Sequence, residues 1–558
     1  MTSQLKPLDL DPTLLEPVAK MLRAPQEFAA CLNQLGSYTT EHFVLRLSPK
    51  VHELVDAVAS DVYASGELDG ATVQAFSTYI HETVHWWQHV GSTSGLVLSL
   101  AYPAQAHENA EHLEKVLKRV GAKKSLKRWA EEAALAGVII EDPGLLAANM
   151  AVNNAVDAEF YKIATVIPAS IPDAMNDPYF ETVGHCYWMA YAHAVGLLSA
   201  TIDGDWLHLP DARGWEEPFR QVRDAKVEGW ARGAQVRIPP FGLKALFEGQ
   251  ARMIQLQFLT FGAPNPPTLG ALKDAGYFDG VYGEAFDGFL KMTNSPWPAE
   301  VDDPVVGLFL LIVDLAINPT AGFPLDIESF ENFIIDVDPG IRFMRLSQSV
   351  RDHHPELLGR ITEYSRQEYM SVADVLTKTC GYDHPGVALS TVQTWAADAK
   401  GIAEILAEME TFRYQPANIV VRVLFSHFVS FSIDKLKHPE FFCWAGAWLA
   451  GHRVCDISQA LFLKYLSLFT DRGDDDGIFP RNIPGKDPRA LVKTLSNFYA
   501  NIINYDLTRQ WLLSDGPFHY DFDWLSQSYS KAEMTDSAKT RFEQLYGSHP
   551  DNFEILSV

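Results

Sequence analysis

Residues His81, Glu82, Thr83, Val84 and His85 form a complete H-E-x-x-H. On a helix, side chains four residues apart lie one above the other on the same face. Both imidazoles can then reach one metal ion, and Glu82 stands beside whatever water that ion holds. Two histidines and a carboxylate base are the inventory for metal-assisted hydrolysis.

The motif needs a helix to position it. Val73, Phe76, Ile80, Val84 and Trp87 recur at steps of three and four, the apolar stripe of an amphipathic helix. Asp69-Gly70 marks a turn before it and Gly91 a stop after it. The histidines border the stripe and are expected to face a cleft beside the core.

A catalytic zinc usually has three protein ligands and one position left for water. His89 continues the four-residue spacing, but eight residues of helix rise about 12 Å, too far from His81 for one ion. A glutamate on a second helix is the better third ligand. Leu243, Phe247, Ile254 and Phe258 predict such a helix, opened by Pro239-Pro240 and closed near Gly262 and Pro264. Glu248 sits beside its apolar face, and Gly249 permits close approach of a neighbouring backbone.

The segments His81-Glu82-Thr83-Val84-His85-Trp86-Trp87-Gln88 and Phe247-Glu248-Gly249-Gln250-Ala251 together resemble the gluzincin branch of zinc metallopeptidases. Those enzymes pair H-E-x-x-H-x-x-Q on one helix with E-G-x-A on a later one. The resemblance implies a zinc ion held by His81, His85 and Glu248, with Glu82 as general base. It covers two short segments. The interval from His85 to Glu248 is longer than is usual, so a large insertion must fold between them. Some relatives orient a histidine with an Asp four residues after the ligand glutamate; here that position is Arg252. Glu159 is the rival third ligand at a more ordinary distance, and Glu108 and Glu111 are weaker rivals. Candidates to stabilise a developing oxyanion are Tyr187, His185, His353, His354, Tyr364, Tyr369 and His384. Spacing does not choose among them.

Other features bound the answer. A length of 558 residues with 47% hydrophobic content supports a sizeable core. A net charge of −26 argues against general nucleic-acid binding and against attraction to anionic membranes. Lys115, Lys118, Arg119, Lys123, Lys124, Lys127 and Arg128 are a basic run, read as a solvated helical face balanced by Glu111 and Glu114. The five cysteines, Cys31, Cys186, Cys380, Cys443 and Cys455, are scattered without C-x-x-C and fit a reduced, cytoplasmic setting. Met1 to Leu22 does not read as a signal peptide. The apolar run Val305 to Ile317 contains Asp314 and reads as a buried helix rather than a membrane span.

The expected fold is mainly α with a small β component (α+β). It is a zincin-like metallopeptidase core elaborated by a large helical insertion and a helical C-terminal half. Residues 1–299 are expected to hold the catalytic region, with an insertion over about 98–238, and residues 300–558 a mostly helical region. His42 to Leu47 is expected as a strand beside the motif helix. Breaks are placed at Ala263 to Pro267, Ser295 to Pro304 and Asp471 to Pro488, the last containing an acidic loop at Asp474, Asp475 and Asp476. The function this implies is zinc-dependent hydrolysis of a protein or peptide, with a regulatory protein as a further partner and neither nucleic acid nor membrane. A non-peptide amide or ester substrate involves the same water chemistry. A different class also fits: a non-catalytic helical interaction protein whose histidine pair is structural.

Overall fold

The H-E-x-x-H segment lies on a helix spanning Gly70–Gly91, most of whose residues are buried. This computed structural model describes residues 10–14, 35–39, 41–61, 70–138, 141–228, 230–231, 234–263, 265–522, 524–525 and 529–556. Asp69, Cys31 and Pro264 lie outside them, as does most of Met1 to Leu22.

Nearly every side chain of the motif helix from Thr72 onward is buried. A one-sided stripe facing a cleft is therefore not what forms. The helix is covered on several sides, by Pro49–Asp61, Thr93–Arg119, Leu243–Phe261 and Ile419–Lys437. Several buried polar groups on it and at its end are hydrogen-bonded: Ser77 and Thr83 hydroxyls donate to carbonyls one turn back, and Ser92 Oγ, just past the helix, donates to Gln88 O and accepts from Gly95 N. Trp87 fills the space between the motif helix and the C-terminal half, against Phe431, Phe441 and Phe442, and donates its indole N–H to Tyr465 O at 2.7 Å. An aromatic residue buried this deeply contributes about 2–3 kcal/mol.

The chain is mainly helical with a small sheet component. The largest sheet has four strands in the order Gly36–Thr39, Val44–Leu47, Phe469–Arg472, Asp475–Pro480. The first pair is antiparallel, with Gly36 opposite Leu47; the central pair is parallel, with Leu45 opposite Thr470; the last pair is antiparallel with an irregularity between Thr470 and Arg472. The strand expected in His42 to Leu47 is thus Val44–Leu47, buried along its length and packed on the motif helix. The acidic segment after Asp471 is not simply a loop: it turns a β-hairpin. Asp471 is buried and accepts from Leu47 N and bonds His52 Nε2 at 2.7 Å.

The region between the two metal-site segments is helical, as expected. It includes Thr93–Arg119, Leu126–Leu135, Pro143–Val166 and Val183–Ile202. The basic run behaves as expected only in its first half, where Lys115 and Lys118 pair with Glu111 and Glu114 at i,i+4. Lys124 departs from it: it is fully buried on a two-residue strand and donates to Ser514 O and Gly516 O. Val305 to Ile317 falls in the helix Pro304–Ile317, capped by Asp303. Its Asp314 accepts from buried Lys435 at 2.6 Å and from Tyr369 OH at 2.8 Å. Packing is continuous across residue 299: one hydrophobic core runs from Phe43 to Phe553. No helix among the described residues is long and apolar enough to cross a membrane.

Candidate metal centre

Glu248 is carried by the helix Leu243–Phe261, which lies against the motif helix. Its two sides meet different neighbours. Gly249 faces Ala285 and Phe309 on the far side, where an added Cβ would come within 3.3 Å of the Ala285 methyl. Between the helices, Gln88 acts as a polar bridge: its amide nitrogen donates to Phe247 O at 2.9 Å and to Gln250 Oε1 at 2.9 Å. A second bridge runs from Gln255 Nε2 to Ser77 Oγ at 3.1 Å.

This packing brings three ligand atoms together. His85 Nε2 is 3.2 Å from His81 Nε2, and Glu248 Oε2 is 3.3 Å from His81 Nε2 and 3.4 Å from His85 Nε2. Donors about 2.0–2.1 Å from a tetrahedral ion lie about 3.3 Å from one another, so the triangle has the edge length of one face of a zinc coordination tetrahedron. Three electron-rich atoms at this spacing repel unless a proton or a cation sits among them. Glu248 Oε2 is buried without a hydrogen bond of good geometry, as is His81 Nδ1. The donor set, two imidazole nitrogens and one carboxylate oxygen, suits Zn2+. It is the only group of three or more such side chains among the described residues. The imidazoles retain 5% and 8% exposure and the Glu248 side chain 25%, so the group opens to solvent on the Glu248 side.

The electrostatics follow from burial and proximity. Burial holds His81 down to about 3. Burial also pulls His85 down, but the adjacent Glu248 carboxylate outweighs it and pushes His85 up to about 9. Burial alone would raise Glu248; the two imidazoles instead hold it well below the usual carboxylate range. The metal-free cluster thus stores a proton on the His85–Glu248 pair, which a cation would displace.

Gln88 also fixes the tautomer of His85. Its Oε1 lies 2.8 Å from His85 Nδ1, so Nδ1 carries the hydrogen and donates it, and Nε2 is the ring atom that faces Glu248 and His81 and is free to ligate once the shared proton leaves. This is the orienting contact that Arg252 cannot supply. Glu82 is buried against the edge strand Gly36–Thr39, where an added Cβ on Gly36 would stand 2.8 Å from Glu82 Cγ and Oε1. Only glycine leaves room for that carboxylate.

The other sequence candidates lie elsewhere. His89 is outside the cluster, as the helical rise requires; it stacks on Tyr38 at 5.2 Å and meets the Phe247 ring edge-on, and burial lowers it to about 3. Glu159, the rival ligand, is bound by Arg509, with Nε to Oε1 at 2.7 Å. Glu111 is taken by Lys115, and Glu108 lines a separate cavity in the helical region with Asp157 and His185. Tyr187 donates to Asp338 at 2.5 Å, Tyr369 donates to Asp314, and His185 pairs with Asp157 at 3.3 Å. His354 bonds Thr379, the His353 ring lies tilted 6.3 Å from it, Tyr364 packs on Trp444, and His384 caps the helix Pro385–Asp398. None of these oxyanion candidates touches the cluster. Residues that do border it, and that spacing did not reveal, are Gly36, Tyr38, Gln250, Arg252 and Tyr282. The Tyr282 ring meets the His81 ring at 5.9 Å, and the Arg252 guanidinium lies 4.0 Å over the Tyr282 ring. Of these five, Gln250 and Arg252 stand in the Glu248 segment that the sequence marked out, and Gly36, Tyr38 and Tyr282 carry no sequence signal.

In comparisons with known proteins, no family model, no curated protein and no solved structure matches the chain.

Proposed function

We propose that this chain is a zinc-dependent hydrolase, a metallopeptidase of gluzincin-like type with a zincin-like core, acting on a protein or peptide. One observation carries the reading: His81, His85 and Glu248 converge from two helices at mutual distances of 3.2–3.4 Å. These three would hold the ion. A bound zinc lowers the pKa of a coordinated water to about 7 and polarises a carbonyl. Gln88 keeps His85 in the tautomer that leaves Nε2 free to bind. Glu82 takes a proton from the attacking water and returns it to the leaving nitrogen. Gly36 leaves the space in which that carboxylate sits.

A structural zinc site is closed by four protein ligands. Here the group has three among the described residues, which favours a catalytic site over the interaction-protein reading. Burial of both imidazoles is the observation on the other side. Exchange of Glu82 for Gln separates the two. The variant is expected to bind zinc as the wild type does and to lose ~100-fold or more in hydrolysis of a proteome-derived peptide library. A zinc-loaded wild type that cleaves nothing in that library would return the chain to the interaction class.

A further inference from the structure

Arg252 is a buried cation without an anion among the described residues. It stands one turn after Glu248 on the same helix face and is 3% exposed. Its Nη1 donates to the neutral amide of Gln255 at 2.5 Å, and its Nε is buried without a hydrogen bond. It also lies over the faces of Tyr282, at 4.0 Å, and Tyr277, at 5.4 Å. No described Asp or Glu forms an ion pair with it. Charged groups are almost never fully buried unless paired, because two aromatic faces and one amide return only part of the lost hydration.

The position of this unpaired charge is informative. Tyr282 touches both Arg252 and His81, so the guanidinium borders the metal cluster on the His81 side. With Nη1 engaged by Gln255, the Nε edge holds the hydrogen-bonding capacity that no described residue takes up, although packing closes it from solvent. That edge of a guanidinium presents two parallel N–H groups at the spacing of the two oxygens of a carboxylate. Tyr277 is held in turn by Gln74 Nε2, which reaches its hydroxyl at 3.1 Å. The cation is therefore seated in a packed aromatic frame rather than on a mobile arm.

We infer that Arg252 is a specificity-determining residue that receives a carboxylate of the substrate beside the metal. The substrate is then a peptide that places a free carboxylate, from its C-terminus or an acidic side chain, close to the bond to be cut. This rests on the zinc reading above. It also gives an acidic protein, of net charge −26, a local means of holding an anionic ligand that its overall field repels.

The test uses the full chain. Zinc stoichiometry and affinity are read first, by competition with a chromophoric chelator. Two sets of zinc-binding probes are then titrated by calorimetry: alkyl hydroxamates, and hydroxamates of the same length ending in a carboxylate. Wild type is expected to prefer the carboxylate probe by ~10-fold or more at one chain length. Arg252→Gln is expected to bind zinc and the alkyl probes unchanged and to lose the preference, and Arg252→Lys to keep part of it. A wild type that binds zinc but shows no preference at any length overturns the Arg252 assignment and leaves the metal reading standing, whether or not the variants fold. Retention of the preference by Arg252→Gln overturns it equally. Failure of wild type to bind zinc removes both.

Discussion

Exchange of Gln88 for Met tests how the two helices build the site. Met has similar length and no polar hydrogen-bonding group. Three contacts disappear: the one that fixes His85 Nδ1 at 2.8 Å, and the two donated to Phe247 O and Gln250 Oε1 at 2.9 Å each. Phe247 O keeps a partner within its own helix, whereas His85 Nδ1 and Gln250 Oε1 are left buried and unmatched. Each such group costs about 1–3 kcal/mol, so the metal-free protein is expected to lose about 2–6 kcal/mol of stability in urea unfolding. Loss of the contact that orients a ligating histidine typically weakens metal binding ~10–100-fold, or about 1.4–2.7 kcal/mol. Chelator competition measures the second quantity independently of the first. Gln88→Glu divides the two roles. It keeps an acceptor on His85 Nδ1 and removes both donated bonds, so zinc affinity should stay within ~3-fold of wild type while stability falls. A folded Gln88→Met variant with wild-type zinc affinity would refute the claim that Gln88 sets the His85 tautomer.

Other perturbations follow from the same geometry. Gly36→Ala places a methyl 2.8 Å from Glu82 Oε1; kcat should fall ~10-fold or more with zinc affinity unchanged, and an unaltered kcat would mean that Glu82 is not held there for catalysis. Glu159→Gln breaks a half-exposed pair with Arg509, and should cost at most about 1 kcal/mol of stability and leave zinc affinity unaffected; a loss of zinc would restore Glu159 as a ligand. Asp338 is buried against Tyr187, and burial raises it to about 6. Its folded-state pKa thus exceeds the unfolded value near 3.9, so its contribution to stability is full below about pH 4 and is lost as pH rises through about 6. Urea unfolding should show wild type losing up to about 3 kcal/mol relative to Asp338→Asn over that window, and a difference that does not change with pH would contradict the shift.

Much of the site was legible because its signals are local. The four-residue spacing of His81 and His85 needs only a helix to acquire meaning, and the apolar steps from Val73 to Trp87 supply one. Gln88 belongs to the same turn as His85, and its orienting contact is a local i,i+3 hydrogen bond. Glu248 was legible through its neighbours Phe247 and Gly249. The periodicity misled in one respect. It anticipated a helix with a solvated face, whereas nearly every side chain from Thr72 onward is buried, in part by Ile419–Lys437, more than 300 residues away in sequence. The same distance hid the parallel pairing of Leu45 with Thr470, which turns an acidic stretch into a hairpin strand. Arg252 and Tyr282 meet only because the helix Val281–Thr293 packs on Leu243–Phe261, and no spacing in the chain announces that meeting.

X-ray absorption at the zinc edge, on the full chain after zinc loading and dialysis, tests the central claim most directly. It should show one zinc per chain with two imidazole nitrogens and a carboxylate oxygen at about 2.0–2.2 Å. Glu248→Ala and His81→Ala should each lose the ion. Absence of stoichiometric zinc in wild type, or an unchanged spectrum in Glu248→Ala, would contradict the account.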